Sequence, residues 1–170
     1  MENSKTGQAY VFKWKYIALP ATLLFISVIL TLVFYARLPQ EMAWRFDADG
    51  SPVSTATRGV VLLWGLGIQF LLLLAALLAT RTVIGLANRF IEPETAVINP
   101  ERTFMLMGNM PVLLQAIISF ALADIFSYNS NQVHLPPVWI FAIIILVLGG
   151  VILSIYAYQA VRAAWKANKE

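Results

Sequence analysis

The chain has 170 residues, of which 59% are hydrophobic and only 12% charged, with a formal net charge of +3 and no cysteine. Soluble domains carry about 25% charged residues, and a chain this short has too much surface to hide so many apolar side chains in one core. A water-soluble globule is therefore excluded, and a bilayer is the solvent that fits.

Four stretches lack Asp, Glu, Lys and Arg, and each is long enough to cross a hydrocarbon core of about 30 Å as a helix rising about 1.5 Å per residue. They predict spans at about residues 16–36, 59–80, 103–124 and 136–160. The connections are too short for a separate soluble domain. The expected architecture is thus an all-α membrane protein, a single four-helix domain over residues 1–170. The first span follows a basic lead (Lys5, Lys13, Lys15), but its apolar run exceeds that of a signal peptide and no small-residue cleavage site follows, so it reads as a retained anchor.

The basic residues set the expected orientation. Lys5, Lys13 and Lys15, Arg81, Arg89 and Arg102, and Arg162, Lys166 and Lys169 fall on one side; Arg37, Arg45 and Arg58 fall on the other. Nine against three places both termini in the cytoplasm. The same distribution accounts for the basic balance without nucleic acid, because no basic or aromatic-basic run stands out.

Residues 37–58 form the expected outer loop. Met42, Trp44 and Phe46 alternate with Ala43, Arg45 and Asp47, a period-two pattern that predicts a short strand. Asp47-Ala48-Asp49-Gly50 then predicts a turn, with Pro52 as further punctuation. The loop is expected to be short and ordered. Further along, Gly65 and Gly67 remove side chains from the second helix, and Gln69 lies near its middle. Val83 to Phe90 keeps an apolar pattern and extends that helix along the membrane surface or serves as a connector. Glu92-Pro93-Glu94 and Asn99-Pro100-Glu101 are expected to break it.

In the third span Pro111 predicts a kink. Gln115 is at mid-depth, and antiparallel packing brings it toward Gln69, either as an interhelical hydrogen bond or as a midplane site. Asp124 is expected at the outer end of this helix, as an interfacial residue or a partner of Arg37 or Arg58. His134 reads as a surface residue. Leu135-Pro136-Pro137 opens the fourth helix, where Gly149 and Gly150 predict close packing.

Leu38-Pro39, Phe46, Ala48-Asp49-Gly50, Pro52 and Arg58 together resemble the bacterial domain of unknown function numbered 1648, whose pattern runs L-P-x-x-I-P-x-H-F-N-x-x-G-x-P-D-x-x-x-S-K. The resemblance covers about residues 16–80. The same domain forms the N-terminal part of SdpI-type immunity proteins. It implies a bacterial cytoplasmic-membrane protein and an immunity- or sensor-like role. Here Arg45 stands in the histidine place, Asp47 in the asparagine place, Ala43 in a proline place and Val53 in the aspartate place. No metal or proton role of that histidine is therefore carried over.

No catalytic constellation, cofactor motif or metal set is legible: there is no cysteine, a single histidine, and no P-loop, G-x-S-x-G or H-E-x-x-H element. The chain is expected not to be an enzyme. Two functions stay open. One is a sensor or immunity-like protein whose outer loop meets an extracellular peptide or envelope component while its inner loops engage a cytoplasmic regulator. The other is an accessory subunit of a transporter, or a homo-oligomer packed through glycine faces.

Overall fold

The computed structural model describes residues 9–90 and 100–167. A single 3-10 turn at Trp14–Tyr16 leads into α1 (Ala18–Tyr35). Strands β1 (Glu41–Phe46) and β2 (Pro52–Thr57) follow, then α2 (Arg58–Phe90), α3 (Pro100–Asn109), α4 (Val112–Asn131) and α5 (Val138–Ala167). Four helices are long and apolar enough to cross a membrane: α1, α2, the α3–α4 pair and α5. Their outward faces carry Leu32, Leu63, Phe70 and Leu148, all exposed, a surface suited to lipid.

Proline shapes the third span as expected. Pro111 has no N–H to give the preceding turn, so α3 closes with Met110 N–H on the Leu106 carbonyl (2.9 Å) and α4 restarts with Gln115 N–H on the Pro111 carbonyl (3.1 Å). Pro100 is the first described residue of α3, a place where its missing N–H is tolerated, and Asn99 before it lies outside the described residues. Residues 83–90 continue α2 without interruption. Glu92-Pro93-Glu94, Lys5 and Lys169, and the side chain of Lys166, lie outside what the structure describes.

The greatest departure is at the end of the third span. Helix α4 runs on to Asn131, where Gln132 takes a left-handed conformation (φ 55°) and donates its N–H to the Tyr128 carbonyl at 2.8 Å. Asp124 is therefore inside the helix and buried rather than at its end.

The bundle has an apolar cluster toward each end and a polar one between them. Around the β-hairpin, Leu38, Met42, Val61, Leu122 and Phe126 form one core. At the opposite end Tyr16, Ile84, Ala87 and Phe104 form another, with Tyr16 and Phe104 edge to face at 5.8 Å. Between them Ser27, Gln69 and Gln115 are buried. The Ser27 hydroxyl faces Gln69 Oε1 (2.9 Å) and Ser119 Oγ (2.8 Å), and Gln115 Nε2 donates to the Gln69 carbonyl (2.9 Å). The two glutamines thus meet through a side chain and a backbone, not amide to amide. Gln69 Nε2 and Gln115 Oε1 are buried with no hydrogen-bond partner among the described residues.

Small residues divide sharply. A Cβ on Gly65 would stand 2.5 Å from Leu122 and one on Gly149 2.5 Å from Leu113, so both mark close helix approaches. Gly67 and Gly150, also expected to be packing positions, have nothing within 4 Å of the corresponding point. The tightest approach is one the sequence did not single out: at Gly108, α3 rests on the Tyr16 carbonyl and the Thr80 hydroxyl.

Candidate functional site

The polypeptide between α1 and α2 is an antiparallel hairpin. Glu41 pairs with Thr57, Met42 with Ala56 and Ala43 with Thr55; the register then slips, Arg45 pairing with Ser54 and Phe46 with Pro52. The slip leaves Trp44 without a cross-strand partner, as a β-bulge does. The simple alternation expected for this strand is lost. Met42 is fully buried in the core, Ala43 is buried beside it, and Trp44 is half exposed.

The turn is built as its composition dictates. Asp47 N–H donates to the Ser51 carbonyl (2.9 Å) and Gly50 N–H to the Asp47 carbonyl (3.0 Å). Gly50 sits at φ 84°, a conformation that L side chains resist. Asp49 Oδ1 accepts from both the Ser51 N–H (2.9 Å) and the Ser51 hydroxyl (2.7 Å). The Ser51 backbone bond first, and its hydroxyl second, hold the Asp49 carboxyl below its ordinary range. A depressed carboxyl stabilises the folded turn above the unfolded value, about pH 4, and that contribution disappears as pH falls through the lowered value. The Ser51 amide resonance is expected to report a single acid-side step, abolished in Asp49→Asn.

Three side chains from outside the hairpin hold it down. Asn129 of α4 acts as a third strand: its Oδ1 accepts the Ala43 N–H (2.9 Å) and its Nδ2 donates to the Ala43 carbonyl (2.7 Å). Arg58 donates from Nη1 to the carbonyls of Tyr35 (3.2 Å) and Leu38 (3.1 Å), with its guanidinium 4.2 Å over the Tyr35 ring. A cation on the last carbonyls of a helix is favourable, so Arg58 closes α1 while opening α2.

His134 is the third. Its Nε2 is 3.0 Å from the Gly50 carbonyl, and its Nδ1 is 3.3 Å from each Asp124 oxygen. A carbonyl only accepts, so Nε2 donates to Gly50 while Nδ1 faces the carboxylate. The ring is stacked on Tyr128 (4.6 Å) and meets Phe46 edge-on (4.6 Å). The Leu135 N–H completes Asp124 at 2.7 Å. Neither Arg37 nor Arg58 reaches that carboxylate; the loop-closing place expected for them is taken by His134, whose side chain stays 30% exposed.

The rest of the expected loop motif divides by role. Leu38 is buried, whereas Pro39, Arg45 and Pro52 are exposed. Beneath the hairpin, a groove of about 420 Å³ opens between α2 and α4, lined by Trp44, Val60, Trp64, Ile68, Ile118 and Leu122. Gly65 contributes a bare backbone to it, and Trp44 stands at its rim. The groove offers apolar contact, with the exposed guanidinium of Arg45 on the strand above.

Residues 22–69 match the family described as Domain of unknown function (DUF1648). This segment belongs to the DUF1648 family. No curated protein and no solved structure matches the chain. The DUF1648 segment contains most of α1, the whole hairpin and α2 as far as Gln69. Apart from Arg58, the side chains that dock it lie beyond: Ser119, Leu122, Phe126 and Asn129 on α4, and His134 just after, itself held by Asp124. Here the DUF1648 unit is a helix–hairpin–helix completed by a helix from outside the matched segment.

Nothing marks Asn129 in the sequence once the third span is taken to end at Asp124, and His134, read as a surface residue, lies beyond the helix altogether. Asp124 and Tyr128, four apart, would have shared one face had the helix been continued.

Proposed function

We propose that this protein is a multi-pass protein of the bacterial cytoplasmic membrane with both termini inside, and that its hairpin and the groove beneath form a receptor surface at the outer face. The occupant is the apolar portion of an extracellular peptide or envelope component. The observation that carries this reading is the pairing of a firmly anchored hairpin with an open apolar groove at its underside: Asn129, Arg58 and His134 fix the backbone, while Trp44 and Arg45 stay exposed at the rim. Pockets of about 300–1,000 Å³ with apolar walls and few polar groups are the usual form of binding sites. The resemblance of the loop sequence to that of SdpI-type immunity proteins suggests an immunity- or sensor-like role, in which occupancy is passed through α2 and α4 to the cytoplasmic side and a regulator there.

The test is retention by the purified, immobilised chain of components from spent medium and envelope extract. Trp44→Ala removes the rim, and Ile68→Trp fills the groove. A component held by the unaltered protein and lost from both variants supports the reading; equal retention by all three contradicts it.

A second reading is favoured by α5, which packs mainly on α4 and leaves Val147, Val151 and Ile155 exposed. Such a face suits an accessory role in a transporter complex or a homo-oligomer. Gly150 faces open space, so Gly150→Leu spares the protomer. If it dissolves an isolated complex while Trp44→Ala changes nothing, the accessory role takes the place of the receptor.

A further inference from the structure

A second and larger groove, about 730 Å³, lies at the opposite end of the bundle, where α3, α4 and α5 meet the start of α1. Its wall is apolar along Met110, Leu113, Gly149 and Ile152, and its mouth carries Lys15, Arg102, Asn109 and Gln159. The division between apolar length and cationic mouth is built by the fold. Pro111 breaks the third span, and Gly149 lets α4 and α5 close on Leu113 at the inner end of the groove. At the mouth, Thr103 bonds Tyr156, and Arg102 Nη1 donates to Gln159 Oε1 at 3.1 Å, so the exposed guanidinium is tethered to α5. Asn109 donates from Nδ2 to the Lys15 carbonyl (3.2 Å) and accepts the Leu19 N–H (2.9 Å), which fixes the Lys15 backbone at the same rim.

Charge at the mouth is unbalanced. Two cations, Lys15 and Arg102, line it with no carboxylate among the described lining residues, and just outside Glu101 bridges Lys15 (3.0 Å) and a further cation, Lys13. From Arg102 to Leu113 on one wall, and from Gln159 to Gly149 on the other, the groove runs about 15 Å at a helical rise of about 1.5 Å per residue. That is half of a hydrocarbon core about 30 Å thick, or one leaflet.

We propose that this groove binds one anionic phospholipid, its phosphate between Lys15 and Arg102 and one acyl chain laid between α4 and α5. Arginine and lysine both recognise phosphate, and basic pockets between membrane helices hold anionic headgroups. A zwitterionic lipid would set its own cation against the surplus at the mouth. Partial occupation by an acyl chain also explains why an apolar wall this long persists beside a helix with few protein neighbours.

The experiment is native mass spectrometry of the full chain in neutral detergent, titrated with phosphatidylglycerol, phosphatidylcholine or glycerol phosphate. One phosphatidylglycerol is expected to be retained roughly tenfold more tightly than phosphatidylcholine, with glycerol phosphate not competing. The double variant Lys15→Gln/Arg102→Gln is expected to lose that preference, since each juxtamembrane cation contributes on the order of a few-fold in affinity. Ile152→Trp, which keeps both cations and fills the apolar length, is expected to weaken both lipids. Circular dichroism melting of each variant without lipid shows that it is folded; if the double variant is not, Ile152→Trp decides. Equal retention of the two lipids, displacement by glycerol phosphate, or phosphatidylglycerol binding unchanged in the folded variants overturns the proposal.

Discussion

Asn129→Ala is expected to undock the hairpin and lower the stability of the bundle by about 2–4 kcal/mol. The Asn129 amide satisfies both the N–H and the C=O of Ala43, and it also donates to the Ile125 carbonyl at 2.8 Å. Ala43 is 7% exposed, so water cannot replace the lost partners without opening the strand. Each buried backbone group left unpaired costs roughly 1–3 kcal/mol. Met42 is fully buried in the same strand and would be drawn out of the Leu38–Phe126 core with it. Hydrogen exchange at Ala43 and Met42, with a denaturant titration in micelles, reads both effects. Asn129→Asp keeps the acceptor and loses the donor, so it is expected to fall between.

The second large effect is at Gly108. A methyl group there would overlap the Tyr16 carbonyl, a backbone atom that cannot turn aside, as well as the Thr80 hydroxyl. Tyr16 is 1% exposed and Thr80 completely buried, so neither has room to yield. Gly108→Ala is expected to cost about 2–3 kcal/mol, the usual range for overpacking a tight contact. Gly67→Ala, at an equally helical site with nothing within 4 Å, is expected to be neutral or to stabilise by up to about 1 kcal/mol. Melting of the two variants side by side separates steric overlap from the general preference of helices for alanine. Loss of stability in both would remove the steric argument.

Much of this fold is visible in the sequence because membrane spans are a matter of length and composition. A helix must satisfy its own backbone in lipid, so charge-free runs mark α1, α2 and α5, and Pro111 marks the break between α3 and α4. The turn at Asp47–Gly50 was legible for a similar reason: the chemistry of aspartate and glycine acts locally. What escaped was whatever depends on a distant partner. Asn129, Asn109 and Asn88 are ordinary polar residues in sequence, yet each clamps a backbone elsewhere; Asn88 holds Tyr10 through its N–H (2.7 Å) and carbonyl (2.9 Å) just as Asn129 holds Ala43. The bulge that exposes Trp44 escaped as well, because a register slip is set by docking on α4 and not by the alternation of the strand. His134 stands alone in the sequence, but its role comes from Gly50 and Asp124, far apart in sequence and joined only by the fold.

The receptor reading stands or falls on which side of the membrane the hairpin occupies. The chain has no cysteine, so a single introduced thiol reports without background. Arg45→Cys on the exposed edge of β1 and Arg162→Cys near the end of α5 are compared in intact cells treated with a membrane-impermeant maleimide. With the hairpin outside, the thiol at 45 is labelled at once and the thiol at 162 only after permeabilisation. Labelling of position 162 in intact cells with position 45 protected would place the hairpin inside and overturn the receptor reading.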